Sequence, residues 1–513
     1  MEQSNFIQPM QPVPLKRRIH FLGIGGHGCS AVAQLALALG EEVSGCERAL
    51  GDSEATGMVQ AAGIRVLEGH HPDHLNDADM LVYVPAAMQF NPNNPELVAA
   101  RERGMPLITW QELLGEYMRG MFGVSIAGSH GKGTTSAMVS LIFIDAGLDP
   151  TCEVGAIVPR FGANFRLGHS QFFVNEADEF NFNFLHYHPR VALITNFDHD
   201  HPDTYPTFDD YLSAFERFVR GMDASERWHV PTTLILNADT QRSQEFRQRL
   251  ADWPGRLLTY GIDPNHMPDF LGTNLRLEGE TSFEVIHQGT SLGQFTLLLP
   301  GQHVVEDAVG AIAAATVVGI STEAARESLA RFSGLQRRFE VRSTAGDKIL
   351  IDDYGHHPTE VAATIAAARL RYPTRRLIAV FQPALFSRTK RFFDQFAAAF
   401  DLADEVILGD IYGAREQDPG DIHTRTLIKA VRERPAFRGR TRHVRYGGSL
   451  AETRALLEKM LAPNDIALLM GSGTIYKITE EMVGPSPMLS GPAAALMGPL
   501  ATPASESAGQ KQP

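Results

Sequence analysis

The chain has 513 residues, 43% of them hydrophobic and 21% charged, with a formal net charge of −14. That length points to several globular domains with ordinary cores, and the acidic balance argues against a general nucleic-acid or anionic-membrane binder while leaving room for a local pocket for an anionic substrate. The three cysteines, Cys29, Cys46 and Cys152, have neither disulfide nor zinc spacing and read as reduced packing residues.

Residues 1–16 read as a flexible leader with no apolar core of signal-peptide length, and no later apolar run is long enough to span a bilayer, so the expected location is the cytoplasm, with no membrane partner. An apolar strand at Arg18–Leu22 then runs into Gly23-Ile24-Gly25-Gly26-His27-Gly28 and a helix over Ser30–Leu39. The next strand, EEVSGCE, ends at Glu47, roughly 20 residues on, where a dinucleotide fold places its ribose-binding acid. These glycines certify a diphosphate site or a tight turn, and an NAD-dependent oxidoreductase built on Gly23, Gly25, Gly28 and Glu47 is one reading of them. Strands at Gly63–Leu67 and Met80–Val84 and a helix over Pro95–Arg103 complete one Rossmann-like α/β unit over 17–119.

A buried parallel strand at Val124–Ala127 leads into Gly128-Ser129-His130-Gly131-Lys132-Gly133-Thr134-Thr135, and helical spacing follows until Gly147 and Pro150. Strand, glycine loop and helix N-terminus together cradle phosphate, with Lys132 reaching its β/γ oxygens. The match is incomplete: Ile126 or Ala127 stands where the general pattern begins with glycine, and Gly133 replaces the hydroxyl residue that normally holds Mg²⁺. A plain strand-to-helix turn is the competing reading. Further strands at Phe172–Asn175, Ala192–Asn196 and Thr233–Asn237 end in polar residues, and ligands of parallel sheets collect at such ends. Two of them carry Glu176-Ala177-Asp178-Glu179 and Asn196-Phe197-Asp198-His199-Asp200-His201, where Glu176 is a natural Mg²⁺ ligand. Taken one at a time, Asp198, His199 and Asp200 read as a solvated, capping loop.

After Gly334 a third α/β unit opens, with Lys348–Ile351 leading to Asp352-Asp353-Tyr354-Gly355-His356-His357-Pro358, a helix over Thr359–Leu370 and a strand at Leu377–Phe381. Strands at Glu405–Leu408 and Ile466–Met470 extend it, and the Pro/Ala/Gly/Ser-rich stretch 484–513 reads as a disordered tail.

GIGGHG, GSHGKGTT and DDYGHHPTE in this order, with EADE at 176–179, TNFDHDHPDTY at 195–205, GLQRRFE at 334–340 and FQPALFSRT at 381–389, resemble the Mur ligases of peptidoglycan synthesis over 17–483. The resemblance implies three α/β domains: a Rossmann-like unit at 17–119 for a UDP-sugar, a central P-loop ATPase-like unit with a parallel sheet at 120–335, and a Rossmann-like amino-acid unit at 336–483. It implies a ligase joining the lactyl carboxylate of UDP-N-acetylmuramate to the amine of L-alanine through an acyl phosphate, with ATP and Mg²⁺ as cofactors. UDP-sugar contacts are then expected at Gly23, Gly25, Gly26, Gly28, Glu47 and His70, and nucleotide contacts at residues 128–135, Asn196, His303, Arg338, Asp353 and Tyr354. Metal would fall to Glu176, His201 and Thr134, and the incoming amino acid to His356 and Arg388, the latter through its planar donor fork. Taken singly, His356 also reads as a helix cap and Arg388 as a surface pair.

The sequence departs from the family pattern at several ligand-facing positions. Gly133 stands for Thr or Ser, Val304 and Asp307 stand for the asparagines of the adenine motif within Pro300–Ala308, Ala384 stands for histidine, and Pro85 and Ala86 stand for serines. Valine offers adenine no hydrogen bond, and ionised aspartate offers only acceptors. These changes leave open a binding or regulatory paralogue with weakened ATP use, or a relative that ligates another amino acid or a preformed peptide.

Overall fold

The computed structural model describes residues 16–50, 54–201, 204–343, 345–414, 416–438 and 442–486, so most of the expected leader and tail lies outside the described residues. Three sheets follow one another along the chain. The first has strands β1 (Arg18–Leu22), β2 (Glu42–Glu47), β3 (Arg65–Glu68), β4 (Met80–Tyr83) and β5 (Leu107–Thr109), all parallel, in the order β3-β2-β1-β4-β5. Its order reverses beside β1, so the glycine loop after β1 opens at the switch point where such sheets receive ligands.

The second sheet contains β6 (Phe122–Ala127), β7 (Thr151–Val158), β8 (Ala163–Arg166), β9 (Phe172–Glu176), β10 (Val191–Ile194), β11 (Thr233–Asn237), β12 (Arg256–Gly261), β13 (Phe270–Arg276), β14 (Thr281–His287) and β15 (Thr290–Leu297). Its order is β15-β14-β13-β12-β11-β10-β6-β9-β7-β8, parallel from β13 through β7 and closed at both edges by antiparallel strands. Every residue of β6 and β10 is buried, as befits central strands covered on both faces. Register sets Ala127 beside Ile194 and Ile126 beside Glu176, so the loop leaving β6 emerges between the ends of β9 and β10. The helix Lys132–Asp145 packs on the alanine-rich helix Gln302–Val318, whose small buried residues allow a close approach.

The third sheet holds β16 (Glu340–Ser343), β17 (Ile349–Asp353), β18 (Arg376–Phe381), β19 (Glu405–Gly409), β20 (His443–Gly448) and β21 (Asp465–Met470) in the order β16-β17-β21-β18-β19-β20. Only β16 runs antiparallel. The three-unit α/β architecture expected from the sequence is therefore present. The sequence reading does not include β5, β7, β8, β12–β16 or β20; β13 and β15 are largely half-exposed and carry no long apolar run.

Candidate active site

The phosphate loop is clamped from the end of β10. Gly128 takes φ 128°, and a Cβ there would stand 2.1 Å from Thr195 Oγ1; Gly131 caps the following helix at φ 78°. Both positions need glycine. The Asn196 side chain accepts from His130 N at 2.9 Å and donates to His130 O at 3.0 Å, while Thr195 Oγ1 donates to the same carbonyl at 2.6 Å. Ser129 Oγ donates to Asp198 O at 2.7 Å and accepts from Asp198 N at 2.8 Å. Thus Asn196 and Ser129 shape the loop through side chains, and Thr134 lines the cavity beyond it.

Lys132 Nζ donates to Gly128 O at 2.6 Å and to Glu179 Oε2 at 2.8 Å. Burial works against its charge, but Glu179, Asp178 and Glu176 outweigh that and raise its pKa, so the ammonium is retained. Glu179 also accepts from Tyr211 OH at 3.3 Å and lies 3.8 Å from His201 Nε2. Asp178, Glu179 and His201 offer ligand atoms that all lie within 4.8 Å of one another. Two carboxylates and an imidazole beside a phosphate loop suit a divalent cation carried with phosphate oxygens. Glu176 instead turns its carboxylate to Gly155 N at 2.7 Å. The sequence reading chose Glu176 from this run; Glu179 is the carboxylate that meets both Lys132 and His201. Glu176 is the last residue of β9, whereas Glu179 lies beyond the strand, just before the turn in which Asn181 and Phe182 take positive φ.

A cavity of about 360 Å³ opens beside the loop. Its walls join His130, Gly131, Gly133 and Thr134 to His303, Val304 and Asp307 from the helix Gln302–Val318, and to Arg338, Asp353 and Glu360 from the third unit. Asp307 accepts from Thr135 Oγ1 at 3.0 Å, and burial raises its pKa well above the carboxylate range. A protonated carboxyl has an O–H donor beside its acceptor oxygen, the pair an asparagine amide would offer. Burial lowers His303 to about 4, leaving it neutral.

His130 joins the central unit to the third. Its Nε2 lies 3.0 Å from Asp198 Oδ2 and its Nδ1 3.3 Å from Glu360 Oε1; burial opposes the charge, but the two carboxylates raise the imidazole to about 10. Asp353 accepts from Phe339 N at 2.9 Å and Gly355 N at 2.7 Å, organising the loop behind the cavity. The Tyr354 ring carries the Arg337 and Arg338 guanidiniums at 4.9 and 5.2 Å. His356, lowered to about 4 by burial, packs edge-on against Tyr354. Arg388 faces Asp200 Oδ1 at 3.6 Å, across the junction of the second and third units. Ala384 is buried and bridges Tyr412 in a short backbone pairing.

In the first unit, Glu47 Oε2 accepts from Gly25 N at 2.9 Å, and Gly23 N donates to Cys46 O at 3.0 Å. Gly26 caps the helix His27–Ala38, and a Cβ on Gly28 would stand 2.4 Å from the Trp110 ring. His70 Nδ1 lies 3.3 Å from Cys46 Sγ. The glycine loop and Glu47 are thus joined beyond the ends of β1 and β2, and His70 meets Cys46 at the same end of β2.

Three family descriptions match in succession: "Mur ligase family, catalytic domain" over 18–121, "Mur ligase middle domain" over 126–315 and "Mur ligase, glutamate ligase domain" over 337–473. A UDP-N-acetylmuramate–L-alanine ligase of Geobacter sp. (strain M21) is 38% identical over 469 residues, covering 91% of this chain and 97% of that protein. The enzyme of the same name from Salinibacter ruber is 36% identical over 471 residues, covering 91% and 94%. Among solved structures, the UDP-N-acetylmuramate–alanine ligase of Thermotoga maritima superposes with a TM-score of 0.76 at 24% identity, covering 91% of this chain and 98% of that one. A murein peptide ligase from Psychrobacter arcticus has a TM-score of 0.68 at 24% identity, covering 91% and 99%. These two superpositions establish a shared fold. With the three successive matches and the full-length relatives, they place this chain in the Mur ligase family.

Proposed function

We propose that this chain is an ATP-dependent acid–amino-acid ligase that joins UDP-N-acetylmuramate to L-alanine in peptidoglycan precursor synthesis. The observation that carries the reading is the phosphate loop, whose Gly131, Gly133 and Thr134 line one cavity with Arg338, Asp353 and Glu360 of the third unit, while its Lys132 meets Glu179 of the Asp178–Glu179–His201 group. A carboxylate is a poor electrophile, so the lactyl carboxylate first takes the γ-phosphoryl group of ATP, releasing ADP. The amine then attacks the acyl phosphate, an amide C–N bond forms, phosphate leaves and the amine proton passes to solvent. No covalent enzyme intermediate is needed; the protein positions the groups and balances charge.

Lys132, held by Gly128 O and Glu179, supplies the ammonium for the β/γ-phosphates, and the residues fit Mg²⁺ through Asp178, Glu179 and His201, with Thr134 at the loop. When bound, that ion neutralises phosphate charge. Gly23, Gly25, Gly26, Gly28, Glu47 and His70 form the UDP-sugar mouth of residues 17–119, residues 120–335 hold ATP, and Arg388 and His356 of residues 336–483 receive the amino acid. Among the described residues no helix is long and apolar enough to cross a membrane; we place the reaction in the cytoplasm.

The Ala384 position, short of the imidazole of the family pattern, favours a second reading in which the amine belongs to a larger acceptor such as a preformed peptide. Phosphate release is measured with Mg²⁺-ATP, UDP-N-acetylmuramate and either L-alanine or an L-alanyl peptide. The expected result is release that requires both co-substrates, is supported by L-alanine and is abolished in Lys132→Ala. Release with the peptide alone favours the second reading. Background release while UDP-N-acetylmuramate still binds sinks the ligase reading and leaves a binding protein.

A further inference from the structure

The first unit contains a buried cluster that the ligase reaction does not use. His20 from β1, Cys46 from β2, His74 from the 3₁₀ turn Pro72–Leu75 and Glu96 from the first turn of the helix Pro95–Glu102 present ligand atoms that all lie within 4.8 Å of one another. His20, Cys46 and Glu96 are fully buried, and His74 is largely so. Strand register sets His20 beside Ser44, two residues before Cys46, so both cluster residues point to the same face of the sheet.

Glu96 is the hub. Its Oε1 lies 2.8 Å from His74 Nδ1, and its Oε2 lies 3.2 Å from Cys46 Sγ and 3.5 Å from His20 Nε2. His20 Nδ1 is committed to Ser44 Oγ at 2.9 Å, while its buried Nε2 has no hydrogen-bond partner and points at Glu96. A tetrahedral ion with bonds of about 2.0–2.3 Å to N, S and O donors sets those donors roughly 3.3–3.7 Å apart. Of the separations around Glu96, the 3.5 Å to His20 falls within that range, and the 3.2 Å to Cys46 and 2.8 Å to His74 lie below it, as hydrogen-bond contacts that an ion would part.

We propose that His20 Nε2, Cys46 Sγ, His74 Nδ1 and the Glu96 carboxylate form a structural site for a zinc-class divalent cation. Two imidazoles, a thiolate and a carboxylate suit a borderline-soft metal better than Mg²⁺. The Ser44 contact would fix the tautomer of His20, as an outer partner does for a ligating imidazole. Binding releases the thiol proton of Cys46, and the two neutral imidazoles with the thiolate and carboxylate give a site of no net charge around a divalent ion. Because Cys46 O accepts from Gly23 N at 3.0 Å and Ile24 N at 3.2 Å, the ion would brace the glycine loop that the proposed function assigns to the UDP-sugar. The site itself does not depend on that assignment. Spacing in the sequence could not reveal it, because the four ligands come from four separate elements.

The test uses tag-free full-length protein loaded with Zn²⁺ or Co²⁺ and dialysed free of unbound metal. Elemental analysis is expected to find about one retained equivalent of zinc per chain, and the Co²⁺ form to show thiolate-to-metal charge-transfer absorption. That absorption separates this site from Asp178, Glu179 and His201, which offer no thiol. His74→Asn and Cys46→Ser, each checked for folding by circular dichroism, are expected to lose the retained metal, and zinc is expected to slow alkylation of Cys46 in the wild-type chain. Absence of retained zinc in folded wild-type protein, or a Co²⁺ spectrum without a thiolate band, overturns the proposal.

Discussion

Gly133 lies in the first turn of the helix after the phosphate loop, and a Cβ there would meet Glu176 Oε2 at 3.1 Å. A Cβ at Gly155 would come within 2.6 Å of the same oxygen. Two glycines therefore make room for one carboxylate, which spends its charge on the Gly155 N–H. In Gly133→Thr the flexible end of Glu176 has only a few tenths of an ångström to yield. The new hydroxyl then lies where a P-loop normally places a metal ligand, and the helix also gains from the loss of glycine. Tighter Mg²⁺-ATP binding is expected, on the order of 1 kcal/mol or roughly fivefold in Kd. Calorimetric titration of both proteins decides it, and an unchanged Kd would mean that the hydroxyl does not reach the metal.

Asp307 makes a separate case at the same scale. Burial raises its folded pKa, so between the unfolded value near 4 and the folded one the native state binds more protons than the unfolded chain, and stability falls as pH rises through that window. Asp307→Asn removes the titration while keeping an acceptor for Thr135 Oγ1. Its thermal midpoint is expected to exceed that of the wild type at pH 7, with the difference shrinking toward pH 4. A difference independent of pH would show that Asp307 is ionised in the native state. Sequence showed that an amide had been lost here; it could not show the burial that lets the carboxyl act as a donor.

At the scale of elements, the loop after β6 and the helix Pro358–Arg371 are joined through His130. Glu360 Oε2 caps that helix by accepting from His356 N at 3.0 Å and His357 N at 3.1 Å, while Oε1 faces His130. The imidazole, raised to about 10 against its ordinary value near 6.5, contributes stability that is fully present below the unfolded pKa and is lost as pH rises toward 10. His130→Gln should therefore melt below the wild type near pH 6.5, and the gap should close by pH 10. Differential scanning calorimetry across that range checks it. The elements themselves were legible where apolar runs are continuous, as in β1, β6, β11 and β21, because a strand buried on both faces needs no partner pattern to be recognised. The strands β13 and β15 were not, since half-exposed strands without a long apolar run resemble loops. Glu176 and Glu179 lie in one acidic run, the first at the end of β9 and the second beyond it, and no sequence pattern shows that Glu179 is the one hydrogen-bonded to Lys132.

At the scale of the whole molecule, the third unit meets the second through the His130–Glu360 contact and several long arginine arms. Arg391 Nη2 reaches His199 Nδ1 at 2.9 Å, Arg371 reaches Gly279 O and Leu298 O at 3.2 Å each, and Arg388 faces Asp200 at 3.6 Å. Such contacts leave the units separately cored, since no apolar cluster of the third sheet includes residues of the second. Asp200 is nearly buried, and although burial opposes its charge, His201 N–H, His201 and Arg388 hold its pKa well down. Arg388 thus already balances one carboxylate while the proposed reaction asks it to receive another from the amino acid. A guanidinium can do both, because its planar fork presents donors along two edges. A lysine lacks that fork, so an ammonium held by Asp200 has no paired planar donors for the second carboxylate. Arg388→Lys is therefore expected to keep the junction and the fold but to raise KM for the amino acid by tenfold or more, about 1.4 kcal/mol, with KM for ATP nearly unchanged. Steady-state kinetics with each substrate varied in turn separates the outcomes. Equal rises in both KM values would mean that Arg388 serves the junction between units and not the amino acid.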